Sequence, residues 1–580
     1  MTAAASCAWL AILAVPWMAC VATATLTASA GRTATGAVGL IWCIAAAALM
    51  ALVEAPVPIV GGTWFVLPSS PDDVAMAFSW TIAPFLLWGI AVSGIALWWL
   101  AGSMDSDGSC APWVLVQLVA GIAAQVWFLD NAWLLLVGQM ALTGLCALLM
   151  GWNADGPTGG VAVRSLWMSG AWADGMQMLA IFGAAVGLAS WQMSDFADAG
   201  RISELQSALP GVVPLVGLLW GIAVCGRLFQ FPFSAVRDLA ETGSSLANGM
   251  VWGVALLPLA VRWTVTGASW WSTTEVVADL GDGWSAIAAL AAVWCALASE
   301  DLRVRVAWLL GAQGCLAIPA LLDEPAAEAS PLVVEQWSAS LAASAWLFSV
   351  LRPVNRHERP GLTATALIWA AALSLCGIIF WPATFPADST PDWPQLVRFA
   401  AIGLSGLATV HLAADAAVER LSVRAMWGSA WLVILPLTAA VAAGRFGERL
   451  MVELGSTCAI LGWTAAALGI VAGLAWRSCP AGWQQKLGVV LNSLVRIGRQ
   501  RFSVPKMILY GVNLPVRGAA QLCRFLDWFV IDAWLLGTLR RLQRPSGVEA
   551  ELQTAGAEFY ALALGLTAAA ITLTVMWLAQ

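Results

Sequence analysis

Side chains that commonly carry chemistry are scarce in this chain, and lysine is the scarcest. Only Lys486 and Lys506 are present, both in the last hundred residues, so the first 485 residues contain no amine side chain. The other 25 of the 27 basic residues are arginine, which a general bias toward arginine would explain. Buried lysine readily changes its protonation state, whereas arginine stays protonated. Proton transfer in the first 485 residues therefore cannot depend on lysine.

Histidine and cysteine do not show the spacing of a metal or redox site. His357 lies in an arginine-rich loop and His411 in an apolar helix, and the twelve cysteines are scattered singly without a C-x-x-C pair. A lone cysteine in an apolar helix usually acts as a small core residue. No glycine-rich nucleotide motif, phosphate-binding loop or catalytic triad occurs. We therefore predict no catalytic residue, no metal, no cofactor and no disulfide framework.

The composition is that of a membrane protein. Sixty per cent of the residues are apolar, 11% are charged and the mean hydropathy is +0.81. Apolar runs of about 18 residues or more, each able to cross a ~30 Å hydrocarbon core, recur along the whole length. The 36 tryptophans suit membrane-interface belts. We predict an all-α polytopic fold of about sixteen spanning helices, the first of them a spanning helix rather than a signal peptide. They lie near 7–27, 35–53, 82–101, 112–128, 132–152, 174–194, 209–230, 247–262, 284–299, 305–322, 331–351, 361–382, 396–418, 424–443, 456–476 and 558–579.

Loop charge predicts the orientation of these helices. Arginine-bearing loops alternate with acid-rich loops from helix to helix, as the positive-inside rule requires. The arginine loops contain Arg32, Arg164, Arg303 with Arg305, Arg352 with Arg356 and Arg359, and Arg420 with Arg424. The pattern places both termini on the outer side, and the even helix count agrees. A bacterial inner membrane is the predicted location.

The character of the chain changes at Arg477. From there to Arg544, basic residues greatly outnumber the two acids Asp527 and Asp532 and are interleaved with apolar residues at helical spacing. We predict a long amphipathic helix along the cytoplasmic face, with binding to anionic lipid as the overlapping alternative.

Proline interrupts two apolar segments at comparable places, in 229–233 and in 379–388. Unwound backbone is tolerated within a membrane only where it lines a cavity or is buried in protein. Broken helices at matching positions of two halves favour a transporter built from inverted repeats.

Five stretches, in order along the chain, resemble the large antiporter-like subunit (chain L type) of bacterial complex I, which Mrp-type antiporters share. The family's G-K-S-A-Q-F-P-L-H-T-W-L-P-D-A-M-E-G is similar to Gly226–Gly243, and its D-N-F-L-L-L-F-V-G-W-E-G-V-G-L-C to Asp130–Cys146. The stretch Asp301–Trp308 with Gln313, the broken helix at Gly377–Asp388, and the basic segment with Leu526–Asp532 complete the series. Together they identify the chain as a divergent member of that family.

The resemblance implies a division of the chain into six parts. It implies two inverted antiporter-like repeats with broken helices, followed by a lateral helix and an anchor. The parts are N-terminal helices 1–110, a first repeat 111–268, a second repeat 283–443, an additional helix 444–480, the lateral helix 481–548 and the C-terminal anchor 549–580.

Most of the family's proton-carrying positions have changed type. The family's glutamate falls at Met140, its bundle lysine at Arg227 and the lysine of S-K-D at Ala387. Its paired histidine and lysine fall at Val334 and Ser338, and a further histidine falls near Val251. The family aspartate is kept as Asp174, although a neighbouring arginine position is Ala171.

Two interpretations follow for proton conduction. In one, an altered path survives on Asp174, Arg227, Glu241, Arg303, Asp388 and His411 with trapped water. In the other, which we favour, the shell and lateral helix remain but conduction is lost. Asp174 and Glu241 then only neutralise Arg227 and Arg237, since unpaired charge in a bundle is costly.

The resemblance implies a membrane-arm subunit of a complex-I-like NADH–quinone oxidoreductase, a translocase with no redox site of its own. Its partners would be other membrane subunits and lipid, with NADH and quinone reached only through those subunits, and no nucleic acid. The alternatives are the membrane partner of an inorganic-carbon uptake system, a cation/proton antiporter subunit, or a purely structural scaffold.

Overall fold

The computed structural model describes residues 131–152, 157–227, 248–323, 362–376, 392–418 and 457–480, with a few separate positions. Apart from one two-residue antiparallel pair, β1 (Ile59–Val60) and β2 (Ala75–Met76), this described part is helical. The chain forms two compact units, Met1–Phe502 and Ser503–Gln580, and all the helices named below belong to the first.

Eleven α-helices are described in the first unit. They are α1 (Ala132–Trp152), α2 (Pro157–Leu188), α3 (Met193–Phe196), α4 (Ala199–Ala208), α5 (Val212–Arg227), α6 (Leu257–Ser272), α7 (Glu275–Ala298), α8 (Leu302–Asp323), α9 (Leu362–Cys376), α10 (Trp393–Val418) and α11 (Thr457–Ser478). A π-helical segment, Gly249–Leu256, leads directly into α6.

Five stretches of these helices are long and apolar enough to cross a membrane. They are Ala132–Gly151, Ser169–Leu188, Glu275–Ala298, Trp393–Ala416 and Ile460–Ser478. These helices support a multi-pass membrane protein. The count of sixteen helices stays a prediction. The lateral helix and the segments near 7–27, 35–53, 82–101, 112–128, 331–351, 424–443 and 558–579 lie largely or wholly outside the described residues.

The helices pack as two neighbouring groups. In the first, α2 packs on α1 and α5, and α5 packs on α6; in the second, α7 packs on α8 and α10, and α10 packs on α9 and α11. Contacts of α6 with α7 and α8 join the groups. One continuous apolar core, which includes the fully buried Trp220, Trp252, Trp263 and Trp270, fills the described part. For these four tryptophans the interface-belt interpretation is wrong.

Two helices begin well before the apolar runs that predicted them. Helix α7 begins at Glu275 rather than at 284, because its acidic first turns lower the hydropathy without preventing helix formation, and Arg398 neutralises Asp282 there. Helix α2 begins at Pro157 and includes Arg164, which the loop pattern had placed outside a helix. It ends at Leu188, before Ala189, whose backbone has a positive φ of 51°.

Close approach of backbones holds α11 against α10. A Cβ added at Gly406 would lie 2.8 Å from the carbonyl oxygen of Ala466, which leaves no room for a side chain. We expect Gly406→Ala to lower the free energy of unfolding by about 1–3 kcal/mol through overpacking. Thermal unfolding of the detergent-solubilised protein measures the loss.

A matched control for that substitution is Gly160→Ala, since a Cβ at Gly160 meets nothing within 4 Å. This variant is expected to gain about 0.5–1 kcal/mol, because alanine loses less backbone entropy in a helix. Equal effects of the two substitutions would show that α10 and α11 are not in close contact at Gly406.

A polar network ties the segment between α2 and α5. The Asp195 carboxylate accepts a hydrogen bond from the Ser190 hydroxyl at 2.5 Å and pairs with Arg201 at 2.5 Å, while Arg201 also donates to the Leu188 carbonyl at 2.8 Å. Asp198 caps α4 by accepting from the backbone N–H of Gly200 at 2.8 Å. The turn after α2 is therefore anchored to α4.

The pKa of Asp195 makes this anchoring depend on pH. Burial acts to raise the pKa, but the hydrogen bonds from Arg201 and Ser190 and the charge of Arg201 outweigh it, so the pKa lies below its ordinary value of 3.8. The stabilisation is thus fully present above pH 3.8 and is lost as the pH falls through the lowered pKa. We expect hydrogen exchange in 189–209 to accelerate over that window.

Asp195→Asn supplies the control for the acid effect. The variant should exchange faster at neutral pH and should lose most of the additional acceleration in acid. Unchanged acid sensitivity in this variant would assign the effect to another carboxylate.

Candidate functional site

A buried ion pair joins α2 and α5 in the first group of helices. Arg227 is the last residue of α5 and is 2% exposed, and its guanidinium pairs with the carboxylate of Asp174 on α2. The C-terminal end of a helix favours a cation, which suits Arg227. Two charges taken out of water at this depth stabilise the fold only if they stay paired and hydrogen-bonded.

Close packing of the two helices brings the pair together. A Cβ added at Gly226 would lie 3.1 Å from the Cβ of Ala173, and one at Gly183 would lie 2.8 Å from a methyl carbon of Val216. The two helices therefore run antiparallel, with almost no separation beside Asp174. A larger residue than glycine at position 226 would push Arg227 away from its partner.

Polar side chains from α1 complete the surroundings of the pair. The Gln139 amide donates to Asp174 Oδ1 at 2.7 Å, and Arg227 donates to the Thr143 hydroxyl at 2.9 Å. Thr143 in turn donates to the Gln139 carbonyl at 3.0 Å. The indole N–H of Trp263 on α6 donates to the Gln139 side-chain oxygen. Four helices thus hold the carboxylate and the guanidinium in one orientation.

A second charged cluster ties three helices of the second group. Arg305 on α8 donates to Asp415 on α10 at 2.5 Å, and Arg477 on α11 pairs with the other oxygen of the same carboxylate. Arg305 also donates to the Ser299 carbonyl at 2.7 Å, which fixes the turn before α8. Asp415 therefore bridges two arginines at one end of the bundle.

A third pair lies at the start of α10. Arg398 is 3% exposed and bonds to both the carboxylate and the backbone carbonyl of Asp282 on α7. This contact joins α7 to α10. The charge clusters of the second group therefore link helices near their ends, whereas the Asp174–Arg227 pair lies within the first group.

Comparison with known proteins bears on the fold. No protein-family model matches the sequence, and no curated protein matches it. The structure is similar to that of the Mrp complex from Dietzia sp. DQ12-45-1b, with a TM-score of 0.63 and 15% identity over 96% of this chain. The chain spans 62% of that neighbour's length. The chain therefore shares its fold with a chain of this membrane complex. A second similar structure is a chain of the membrane-bound sulfane sulfur reductase, an archaeal respiratory membrane complex. The TM-score is 0.57 at 15% identity, and the match covers 73% of this chain and 74% of that one.

Among the described residues, the structure does not bring all the predicted path residues together. Asp174 and Arg227 are in contact. Arg303, at the start of α8, pairs with Asp301 at 3.1 Å and is partly exposed. His411 is half-buried on α10, one turn before Asp415. Glu241 and Asp388 lie outside the described residues, as do Arg237, Val334, Ser338 and Ala387.

The residue of α1 that contacts the ion pair is the neighbour of the residue that the resemblance singles out. Met140, where the resemblance places the glutamate, is 39% exposed, while Gln139 beside it is fully buried and bonded to Asp174. Val251 is fully buried and Ala171 is exposed. The signal for Gln139 was present in the sequence, since Gln139 and Thr143 are the two amide or hydroxyl residues of α1 and lie four apart on one face.

Sequence reasoning also missed the roles of Asp282, Arg398 and Asp415. Each is a charged residue near the end of an apolar helix, where a membrane-interface position is the ordinary explanation. Their pairing across helices became visible only in three dimensions. In the described part of the chain, no group of three or more His, Cys, Asp or Glu side chains is placed to hold a metal ion.

Proposed function

We propose that this chain is the antiporter-like subunit of a multi-subunit, redox-driven ion-translocating complex of the complex-I type, and that its own first repeat does not conduct protons. One observation carries the proposal. Arg227, which the resemblance places at the family's bundle lysine, has a buried guanidinium that is engaged by both Asp174 and Thr143. Arginine does not release its proton under working conditions, so an exchange step that depends on opening this pair is lost.

The surroundings of the pair support the same conclusion. Asp174 is held by the Gln139 amide as well as by Arg227, and Gln139 is itself held by Trp263. Both contacts are made to Asp174 Oδ1, and both favour the charged carboxylate over the protonated acid. The side chains of Gln139, Thr143 and Trp263 donate hydrogen bonds but do not ionise near neutral pH.

In this function the chain binds other membrane subunits and lipid, and it reaches NADH and quinone only through those subunits. The alternating arginine and acid loops support a place in a bacterial inner membrane with both termini outside. The chain would contribute shape and subunit contacts to the membrane arm rather than a redox site. It would have no nucleic-acid partner.

A second candidate is a subunit of an Mrp-type cation/proton antiporter. The match to the Mrp complex extends over 96% of this chain, compared with 73% for the respiratory complex. Affinity purification from native membranes distinguishes the two assignments. Co-purifying NADH-oxidising subunits support the redox-driven complex, whereas antiporter subunits alone support the Mrp-type assignment.

Proton flux tests whether the repeat conducts. The intact complex, reconstituted in proteoliposomes, should pump equally well with the native chain and with the charge-free double variant Asp174→Leu/Arg227→Met. The double variant avoids the buried lone charge that a single substitution would leave. Loss of coupled pumping in an assembled complex would mean that the pair conducts, and the proposal would be wrong.

A further inference from the structure

Four aromatic side chains fill one side of the ion pair. Phe196, Trp220, Trp263 and Trp270, here named the Trp220 cluster, are each fully buried. The Trp220 ring lies 5.4 Å from the Trp263 ring, 6.2 Å from Phe196 and 6.4 Å from Trp270, with which it is stacked. Rings at these separations leave no space for water between them.

The cluster extends from the ion pair to the segment that follows α2. At one end, the Trp263 indole donates to Gln139, which bonds Asp174. At the other end, the Trp270 indole donates to the Phe196 carbonyl in α3 at 2.9 Å. Trp263 and Trp270 are seven residues apart, which corresponds to about 10 Å along a helix.

Every indole N–H of the cluster is already used. Trp220 donates to the Trp263 carbonyl at 2.8 Å, and neighbouring Trp271 donates to the Gly217 carbonyl at 2.9 Å. A buried water needs two to four polar partners to remain in place. The cluster offers entering water no free donor, and a constriction of this kind excludes water by dewetting.

One amide lies close to this dry zone. Gln177, one turn after Asp174 on α2, is fully buried, and neither of its amide atoms has a hydrogen-bond partner among the described residues. It lies between the two places where α2 touches α5, at Ala173 and at Gly183. Along the axis of α2, Gln177 therefore lies between the level of the ion pair and the level of Trp220 on α5.

We propose that the Trp220 cluster is a dry seal that separates the Asp174–Arg227 pair from the end of the bundle formed by 189–211. The seal is a feature of the packing and does not require the pair to be inert. The Trp220 cluster would keep water from the 189–211 end of the bundle away from the pair, whether or not the repeat conducts protons. Its test is therefore independent of the proposed function.

Thiol labelling of Gln177→Cys in the intact complex tests the seal. The introduced cysteine should resist a small water-soluble maleimide, and adding Trp220→Ala should raise its labelling rate by at least about tenfold. The same chains without Gln177→Cys give the background from the native cysteines. Rapid labelling with Trp220 present, or protection that persists after Trp220→Ala, would overturn the proposal.

Two further variants keep the test interpretable. Trp167→Ala on α2 removes a tryptophan that is 55% exposed and should leave the introduced cysteine protected. Trp220→Leu retains part of the apolar volume and should give partial labelling if Trp220→Ala prevents assembly. Assembly is followed by co-purification, so exposure through general unfolding is recognised by labelling of the buried Cys146 as well. Labelling of Cys146 and of the introduced cysteine at equal rates in every cluster variant would count against a local seal.

Discussion

Asp174→Ala is expected to lower the free energy of unfolding by about 3–5 kcal/mol, because it leaves the Arg227 guanidinium buried without a counter-charge. Arg227 is 2% exposed, and after the change its described side-chain partner is the Thr143 hydroxyl. The Gln139 amide loses its acceptor in the same step. Chemical denaturation of the detergent-solubilised protein, followed by tryptophan fluorescence, measures the loss.

Two controls test whether the loss of stability comes from a buried charge that has lost its partner. The double variant Asp174→Leu/Arg227→Met removes both charges and should be close to the native stability or above it, since an apolar pair avoids the desolvation cost. Asp301→Ala removes the partner of the partly exposed Arg303 together with the side-chain cap on the Arg303 backbone N–H, and should cost only about 1–2 kcal/mol. Equal losses for Asp174→Ala and Asp301→Ala would contradict burial as the origin of the effect.

Combining Arg227→Lys with Trp220→Ala is expected to open a passive proton path that neither substitution opens alone. The native repeat has two obstacles, a permanently charged arginine and a dry aromatic seal. Lysine can lose its proton when buried, and its compact ammonium cannot reproduce the forked contacts that Arg227 makes with Asp174 and Thr143. Removing only one obstacle leaves the other in place.

Proteoliposomes with an imposed pH gradient and an internal pH dye measure this path. The double variant should dissipate the gradient on the order of ten times faster than either single variant, which corresponds to about 1.4 kcal/mol of barrier. Arg201→Lys, which changes an arginine that is 39% exposed, serves as the lysine control and should not leak. A leak in Arg227→Lys alone would mean that the seal does not limit access.

Continuous apolar runs were sufficient to predict most of the long described helices but not their polar ends. Helix α1 occupies 132–152, the range that its apolar run predicted, because length and hydropathy were enough to locate this helix. Helix α7 extends further toward its N-terminus than its apolar run, since Asp282 is neutralised by Arg398 from a helix more than a hundred residues later. A local window of sequence cannot include that partner.

Residue types alone indicated that this is a multi-pass membrane protein and that lysine could not carry protons through its first 485 residues. The resemblance to a known family singled out Arg227 and Asp174. The pairing of Arg227 with Asp174 was expected from the resemblance, and the structure shows it. Tertiary structure alone decided the other contacts: it placed Gln139 rather than Met140 in the interior and made Asp415 the bridge between Arg305 and Arg477. Hydropathy is additive along the chain and can be summed from sequence. Pairing depends on the rotation and height of each helix, which are set by close contacts such as Gly226 against Ala173.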